Sequence, residues 1–210
     1  LQLCERILGP TTTSLARRKA RLVHCQLDAA LDPGTNPYPT QYDLEGTDRT
    51  LSSRASVFSR ERLDIGTRLL LAHIPASVEA RDIVDVGCGN GVVGLVAAQR
   101  NPHGKLSFVD ESFMAVASAQ DNWQALFGEA RSAAFETGDC LGPLAAGNAD
   151  LILCNPPFHQ HRAIGDRTAW RMFTESRRVL RSRGELRVVG NRHLAYHAKL
   201  RRLFGDCEVL

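Results

Sequence analysis

No run of apolar residues in this sequence approaches the roughly 20 needed to cross a bilayer as a helix, and no signal-peptide pattern opens it. A membrane protein is therefore not expected, and the chain reads as cytoplasmic. None of the six cysteines (Cys4, Cys25, Cys88, Cys140, Cys154 and Cys207) belongs to a CxxC pair. Most sit among apolar neighbours, so neither a disulfide framework nor a metal site is expected. Internal repeats and low-complexity segments are absent. A strong excess of one charge is absent too: the formal net charge is +3, too small to argue for a nucleic-acid partner by itself. The basic residues are nevertheless gathered, at Arg17-Arg18-Lys19-Arg21, at Arg177, Arg178, Arg181 and Arg183, and at Lys199-Arg201-Arg202. RNA contact by such clusters competes with the plainer reading of solvated helix faces.

What remains is an ordinary globular composition of 210 residues, 43% hydrophobic and 23% charged. That length suits one complete domain with part of a second. Leu1-Gln2-Leu3 opens without a methionine or a helix cap. Residues 20–27 alternate as a strand, and the turn-rich stretch from Asp32-Pro33-Gly34 to Pro37-Tyr38-Pro39 reads as a linker. An isolated strand ahead of such a linker predicts that residues 1–40 are the remnant of a preceding domain in a truncated chain. The main domain then runs over 41–210, with its last strand cut short.

Within it, a hairpin is expected over 42–58, with turns near Glu45-Gly46 and Ser52-Ser53. A helix opens after Leu63 with Asp64 as N-cap. Strands are expected at 82–86, 105–110, 133–136, 150–154 and 184–189, with another beginning at 207. Helices are expected at 113–126, 169–180 and 193–203. Strands and helices alternating in this way predict a Rossmann-like α/β fold, a mostly parallel, doubly wound sheet with helices on both faces.

Two stretches carry chemistry. The first, Gly87-Cys88-Gly89-Asn90-Gly91-Val92-Val93-Gly94, contains a GxGxxG match between a strand and a helix. Glycines there allow a tight turn and close approach of a ligand to the helix amino terminus. Alone, the pattern fits a nicotinamide dehydrogenase as well as an S-adenosylmethionine enzyme. Asp85, just before the glycines, argues for the second, because a carboxylate repels a diphosphate and attracts an ammonium group. Asp110 ends the next strand, where a carboxylate can accept both ribose hydroxyls of a nucleoside, with Glu111 as the lesser candidate. Asp139 is placed to accept from an adenine amine and Cys140 to pack on its ring. Each of these acids has the plainer reading of a solvated strand end.

The second stretch is Cys154-Asn155-Pro156-Pro157-Phe158, directly after an apolar strand. Pro156 has a fixed φ and Pro157 holds it extended, which presets the direction of the Pro156 carbonyl. Asn155 adds a second neutral acceptor and Phe158 a flat apolar face, with core filler as the alternative for Phe158. Two acceptors and a ring suit a planar substrate that carries an amine.

These motifs carry a family likeness. DVGCGNGVVG, VDESFMAVASAQ and CNPPFHQ resemble class I S-adenosylmethionine-dependent amino-methyltransferases. With ILGPTTTSLARRKARL, VFSRERLDIG, AWRMF and GELRVVGNRHLAYHAKL added, the chain is similar to the large-subunit ribosomal RNA guanine-N2 methyltransferases of the RlmG type, over nearly its whole length. Nothing in the sequence suggests an obligate dimer, so a monomer is expected. The resemblance implies S-adenosylmethionine as cofactor, large-subunit ribosomal RNA as partner and a degenerate domain ahead of the catalytic one. It implies that Asn155 Oδ1 and the Pro156 carbonyl accept the two N–H groups of the guanine amine, and that Phe158 stacks on the flipped base. Phe58, Arg60, Asp64 and Thr67 match the family's lid and first-helix cofactor contacts. Pro157, His159, Arg162, Arg167, Asn191 and Arg192 become candidates for substrate or phosphate contact, with a side role for His159 and His161. Competing readings are an amino-methyltransferase for small-subunit RNA, DNA adenine or protein glutamine, a nicotinamide oxidoreductase, and a non-catalytic RNA-binding scaffold.

Overall fold

The computed structural model describes residues 1–77, 79, 81–157 and 162–210, with side chains described for all of these except 162–165. The chain divides into two compact units, Leu1–Pro37 and Tyr38–Leu210. In the first, α1 (Gln2–Ile7) is followed by β1 (Thr11–Thr13) and β2 (Val23–Cys25). These strands pair antiparallel, Thr11 opposite Cys25 and Thr13 opposite Val23. The strand expected at 20–27 is thus three residues long and one arm of a hairpin, not an isolated element. Alternation showed the arm but not its partner, because a threonine run has no apolar period.

The second unit opens with an antiparallel hairpin, β3 (Thr40–Asp43) and β4 (Thr50–Ser53). Its turn includes Glu45-Gly46 as expected. Ser52 and Ser53, however, lie in β4 rather than at a turn, because side chains from elsewhere satisfy them. Asn122 Oδ1 accepts from Ser52 N at 2.9 Å, and Asn122 Nδ2 donates to the Ser52 carbonyl at 2.8 Å and to the Asn90 carbonyl at 2.9 Å. Asn90 Nδ2 donates to Ser53 Oγ and Tyr42 Oη, both at 3.2 Å. This buried network ties the hairpin to the glycine turn. Asn122→Ala leaves several buried partners unpaired, and a loss of about 2 kcal/mol or more in unfolding free energy is expected, read from urea denaturation.

Next come α2 (Ile65–Ala72), β5 (Asp82–Val86), α3 (Val92–Arg100), β6 (Lys105–Asp110), α4 (Phe113–Phe127), β7 (Ala133–Thr137), β8 (Ala149–Cys154), α5 (Arg162–Val179), β9 (Leu180–Val188) and α6 (Tyr196–Phe204). Asp64 caps α2 as expected, its carboxylate accepting from Thr67 N at 2.9 Å. The five strands β5–β9 form one sheet in the order β7-β6-β5-β8-β9, every pair parallel. This is the Rossmann-like fold expected. Residues 207–210 form no strand.

Both faces of the sheet are covered, which explains why its strands read as continuous apolar runs. Ile83, Leu106, Phe108, Leu151 and Leu153 pack on the α2, α3 and α4 side. Val84, Val86, Val109, Ile152 and Cys154 face Ala169, Met172, Phe173 and Tyr196 on the other. β9 starts at Leu180, directly after α5, four residues before the expected 184. Arg181 accounts for the early start: it bridges Asp82 (2.6 Å) and Asp150 (2.8 Å) at the amino ends of β5 and β8. Arg178 donates to the Leu141 and Leu144 carbonyls. Two residues of the second basic cluster therefore have structural partners within the fold.

Candidate active site

From β5 the chain runs outward to β6 and β7, then returns to place β8 on the other side of β5. The strand order reverses between β5 and β8, and open α/β sheets bind their ligands at the carboxyl ends of such a pair. Val86 lies opposite Cys154 in the register, so the glycine turn and Asn155 leave the sheet side by side. A cavity of about 330 Å³ opens there. Asp85, Gly87, Gly89 and Asn90 line it from β5 and the turn, Asp110 and Glu111 from the end of β6. Asp139 and Cys140 reach it from after β7, and Asn155, Pro156 and Pro157 from the end of β8. Phe58 and Asp64 close it from the segment between the hairpin and α2, and Thr67 from the first turn of α2. Contributors that were not anticipated include Tyr42, from the hairpin, and Met172, from a face of α5 that reads as ordinary core.

Other candidates lie elsewhere. Gly91 is absent from the lining; it takes φ +85° as the N-cap of α3, and a Cβ there would come within 2.8 Å of the Ala119 Cβ. Its work is to let α4 pack close. The Arg60 guanidinium sits over the Tyr38 ring, 5.7 Å from its centroid, and pairs with Glu61 at 3.6 Å. It takes no part in the cavity wall. Asn191 and Arg192 are exposed beside a short 3-10 turn, and Arg167 is exposed on α5. Phe158, His159 and His161, and the side chain of Arg162, lie outside what the structure describes.

The turn is held by the two carboxylates themselves. Asp110 Oδ2 accepts from Gly89 N at 3.0 Å and Oδ1 from Ser112 N at 2.9 Å. A carboxylate has about four acceptor positions, so each oxygen keeps capacity for a ligand hydroxyl. A Cβ at Gly89 would meet nothing within 4 Å, which leaves the turn open for close approach. Asp85 is buried, and its Oδ2 accepts from Gly94 N at 2.8 Å. That amide, in the first turn of α3, is one a diphosphate would need, and an acid already occupies it. The nicotinamide reading loses its anchor.

Burial pushes the Asp85 carboxyl up from 3.8 to about 8, the Gly94 N–H opposing and the Asp110 charge reinforcing the shift. Burial likewise lifts the Cys140 thiol to about 12, so at neutral pH it is an apolar wall and not a nucleophile. Asp139 is exposed and forms an ion pair with Arg171, which takes up part of the acceptor capacity expected for an adenine amine. Among the described residues no cluster of His, Cys, Asp or Glu is arranged to hold a metal, and no helix is long and apolar enough to cross a membrane.

Asn155 has the most telling surroundings. Its Nδ2 donates to Thr67 Oγ1 at 2.8 Å, whereas its buried Oδ1 has no partner among the described residues. A buried unpaired acceptor costs stability, and here it belongs to a residue of the cavity wall.

The family description for the methyltransferase small domain matches residues 48–210. The chain belongs to that family. Similar proteins include the ribosomal RNA large subunit methyltransferase G of Pseudomonas paraeruginosa, 54% identical over 98% of this chain and 54% of the relative. The proteins of the same name from Aeromonas salmonicida and Streptomyces coelicolor are 51% and 53% identical over the whole chain, and over 56% and 57% of their own lengths. The chain thus spans about half the length of these relatives. Among solved structures, the T. thermophilus 16S rRNA N2 methyltransferase (RsmC) in complex with AdoMet and guanosine superposes with a TM-score of 0.77. It is 23% identical over 96% of this chain and 55% of that one, a likeness of fold.

Proposed function

We propose that this chain transfers a methyl group from S-adenosylmethionine to the exocyclic N2 amine of a guanine in large-subunit ribosomal RNA. The observation that carries the reading is the buried, unpartnered Asn155 Oδ1 in a cavity that also holds Asp85 and Asp110. The residues present suit S-adenosylmethionine. Asp85 matches its ammonium group, the spare acceptors of Asp110 match a ribose diol, and the neutral Cys140 wall matches adenine. The bound cofactor supplies an electrophilic methyl group on a sulfonium centre.

The chain's own residues then orient the acceptor. The guanine amine is a poor nucleophile because its lone pair is delocalised into the ring. With Asn155 Oδ1 and the Pro156 carbonyl each accepting one N–H, the nitrogen pyramidalises and its lone pair turns out of the ring plane. Positioning supplies much of the acceleration. Water or a weak acceptor removes the proton afterwards. Relatives that share about half of the residues carry large-subunit methyltransferase names, which supports the RNA assignment. In this reading residues 41–210 are the catalytic domain and residues 1–40 the end of a preceding domain with its linker. The protein works as a cytoplasmic monomer with ribosomal RNA as partner. Labelled S-adenosylmethionine offered with large-subunit RNA, small-subunit RNA, DNA and translation factors tests it: label in the large-subunit RNA is expected, and label confined to DNA or protein overturns the substrate.

Asp85 adds a pH signature. Below pH 8 its carboxyl carries a proton that must leave before an ammonium group can pair with it. Cofactor affinity should rise by up to about tenfold per pH unit as pH approaches 8, with close to one proton released on binding well below that point, and the rise ends where the cofactor's own ammonium loses its proton. Calorimetry in buffers of different ionisation enthalpy reads both. The folding linkage has the opposite sense. Between pH 3.8 and about 8 the unfolded chain carries the carboxylate while the folded one keeps the proton. The Asp85 contribution to stability is therefore complete below 3.8 and lost as pH rises through about 8.

A further inference from the structure

The Asn155 amide has two ends of nearly equal size and opposite polarity. Only one of them can accept from a substrate amine; a half-turn about the last side-chain torsion would set donor against donor. Shape cannot choose between these states, so hydrogen-bond partners must. Asn155 Nδ2 lies 2.8 Å from Thr67 Oγ1 and 3.5 Å from Asp64 Oδ2. Thr67 Oγ1 in turn lies 3.4 Å from Asp64 Oδ2, and the same carboxylate oxygen accepts Thr67 N at 2.9 Å. An ionised carboxylate offers acceptors only. The Thr67 hydroxyl therefore donates toward Asp64 and turns its lone pairs to Asn155, whose NH2 end must face them. Oδ1 is what remains for the cavity, buried and without a partner among the described residues.

We propose that Asp64 and Thr67 form a directional relay that fixes the amide of Asn155 with its oxygen toward the acceptor amine. Both are positioning residues, and the proposal rests on the methyl-transfer reading above. It adds a second task to Asp64, which otherwise serves as the cap of α2, and it assigns Thr67 a role in turnover rather than in cofactor affinity. The N-cap bond and the relay share Asp64 Oδ2, so folding of the first turn of α2 and orientation of the amide are one event.

The test uses the full chain with three Thr67 variants and two readouts. Thr67→Val removes the acceptor at nearly constant volume. It is expected to lower kcat about 10–100-fold, the scale on which a misplaced group acts, with KM for RNA and the dissociation constant for S-adenosylmethionine within about threefold of the parent. Thr67→Ser restores turnover to within a few-fold. Should Thr67→Val lack a cooperative melt, Thr67→Ala removes the same acceptor without placing a methyl group against Asp64. The second readout needs no catalysis. In the protein labelled with 15N-asparagine, the Asn155 side-chain amide protons exchange slowly with solvent, and in Thr67→Val or Thr67→Ala that protection drops at least tenfold. Unchanged kcat overturns the relay, as does a loss of cofactor affinity alone or a serine variant as slow as the valine one. If the parent itself methylates no RNA, the functional reading fails, and the exchange measurement still judges the relay: undiminished protection in the variants contradicts it.

Discussion

Replacing Asn155 by alanine is expected to slow methyl transfer by about 10²–10³-fold, the usual effect of removing one preorganised polar group aimed at a reacting centre. Affinity for S-adenosylmethionine should stay within a few-fold of the parent. The separation follows from the geometry. Asn155 reaches α2 through its NH2 end only, at 2.8 Å from Thr67, and Asp85 and Asp110, the residues suited to the cofactor's ammonium and ribose, are fixed by the glycine turn and α3 instead. Among the described residues the oxygen has no structural partner to lose. Its removal therefore relieves an unpaired buried acceptor, and the variant is expected to fold with at most a small loss of stability. Single-turnover rates with saturating cofactor, read beside a calorimetric titration, separate chemistry from binding. A variant that loses cofactor affinity in proportion to rate would move Asn155 from the acceptor side to the cofactor side.

Phe108→Ala is the largest expected effect on stability, about 3–5 kcal/mol, out of the 5–15 kcal/mol typical of a domain. The Phe108 ring is fully buried, stacks on Phe135 at a centroid distance of 5.0 Å and meets Trp123 edge-on at 5.6 Å. It also lies where α3 crosses β6: a Cβ added at Gly94 would overlap it. Truncating the ring opens a cavity behind the residue whose amide holds Asp85. The variant should accordingly lose cofactor affinity as well as stability, although Phe108 is no part of the cavity wall. Urea denaturation at constant m-value and calorimetry on the folded fraction measure the two losses. A stability loss below about 1 kcal/mol would mean that the surrounding rings collapse into the gap.

Much of the fold was legible because parallel strands buried on both faces leave runs such as Asp82-Ile83-Val84-Asp85-Val86 and Ala149-Asp150-Leu151-Ile152-Leu153. Those runs lie in β5 and β8, and the turns that follow them supply the cavity walls. Boundaries were less legible where tertiary partners override local chemistry. Ser52 and Ser53 have turn composition, yet they are strand residues because Asn122 and Asn90 supply their hydrogen bonds across the fold. The early start of β9 depends on Arg181 finding Asp82 and Asp150, separated from it by 99 and 31 residues.

In the site, the acids and the asparagine were recognisable from residue type and strand-end position. Gly91 lies outside the cavity lining, and a glycine that admits a ligand and one that admits a neighbouring helix look alike in a GxGxxG string. Arg60 sits against Tyr38 and Glu61 rather than in the cavity lining, and its residue type alone does not choose between the two places. Thr67 stood out only by resemblance. Its contact with Asn155 spans 88 residues, and nothing local to either residue announces it.

The most direct test of the account is nucleoside analysis of protein-free large-subunit ribosomal RNA after incubation with labelled S-adenosylmethionine, the parent chain and Asn155→Ala run side by side. N2-methylguanosine is expected with the parent and its near-complete absence with the variant at equal cofactor occupancy. Label recovered as a methylated adenine or pyrimidine, or equal N2-methylguanosine from both proteins, would contradict it.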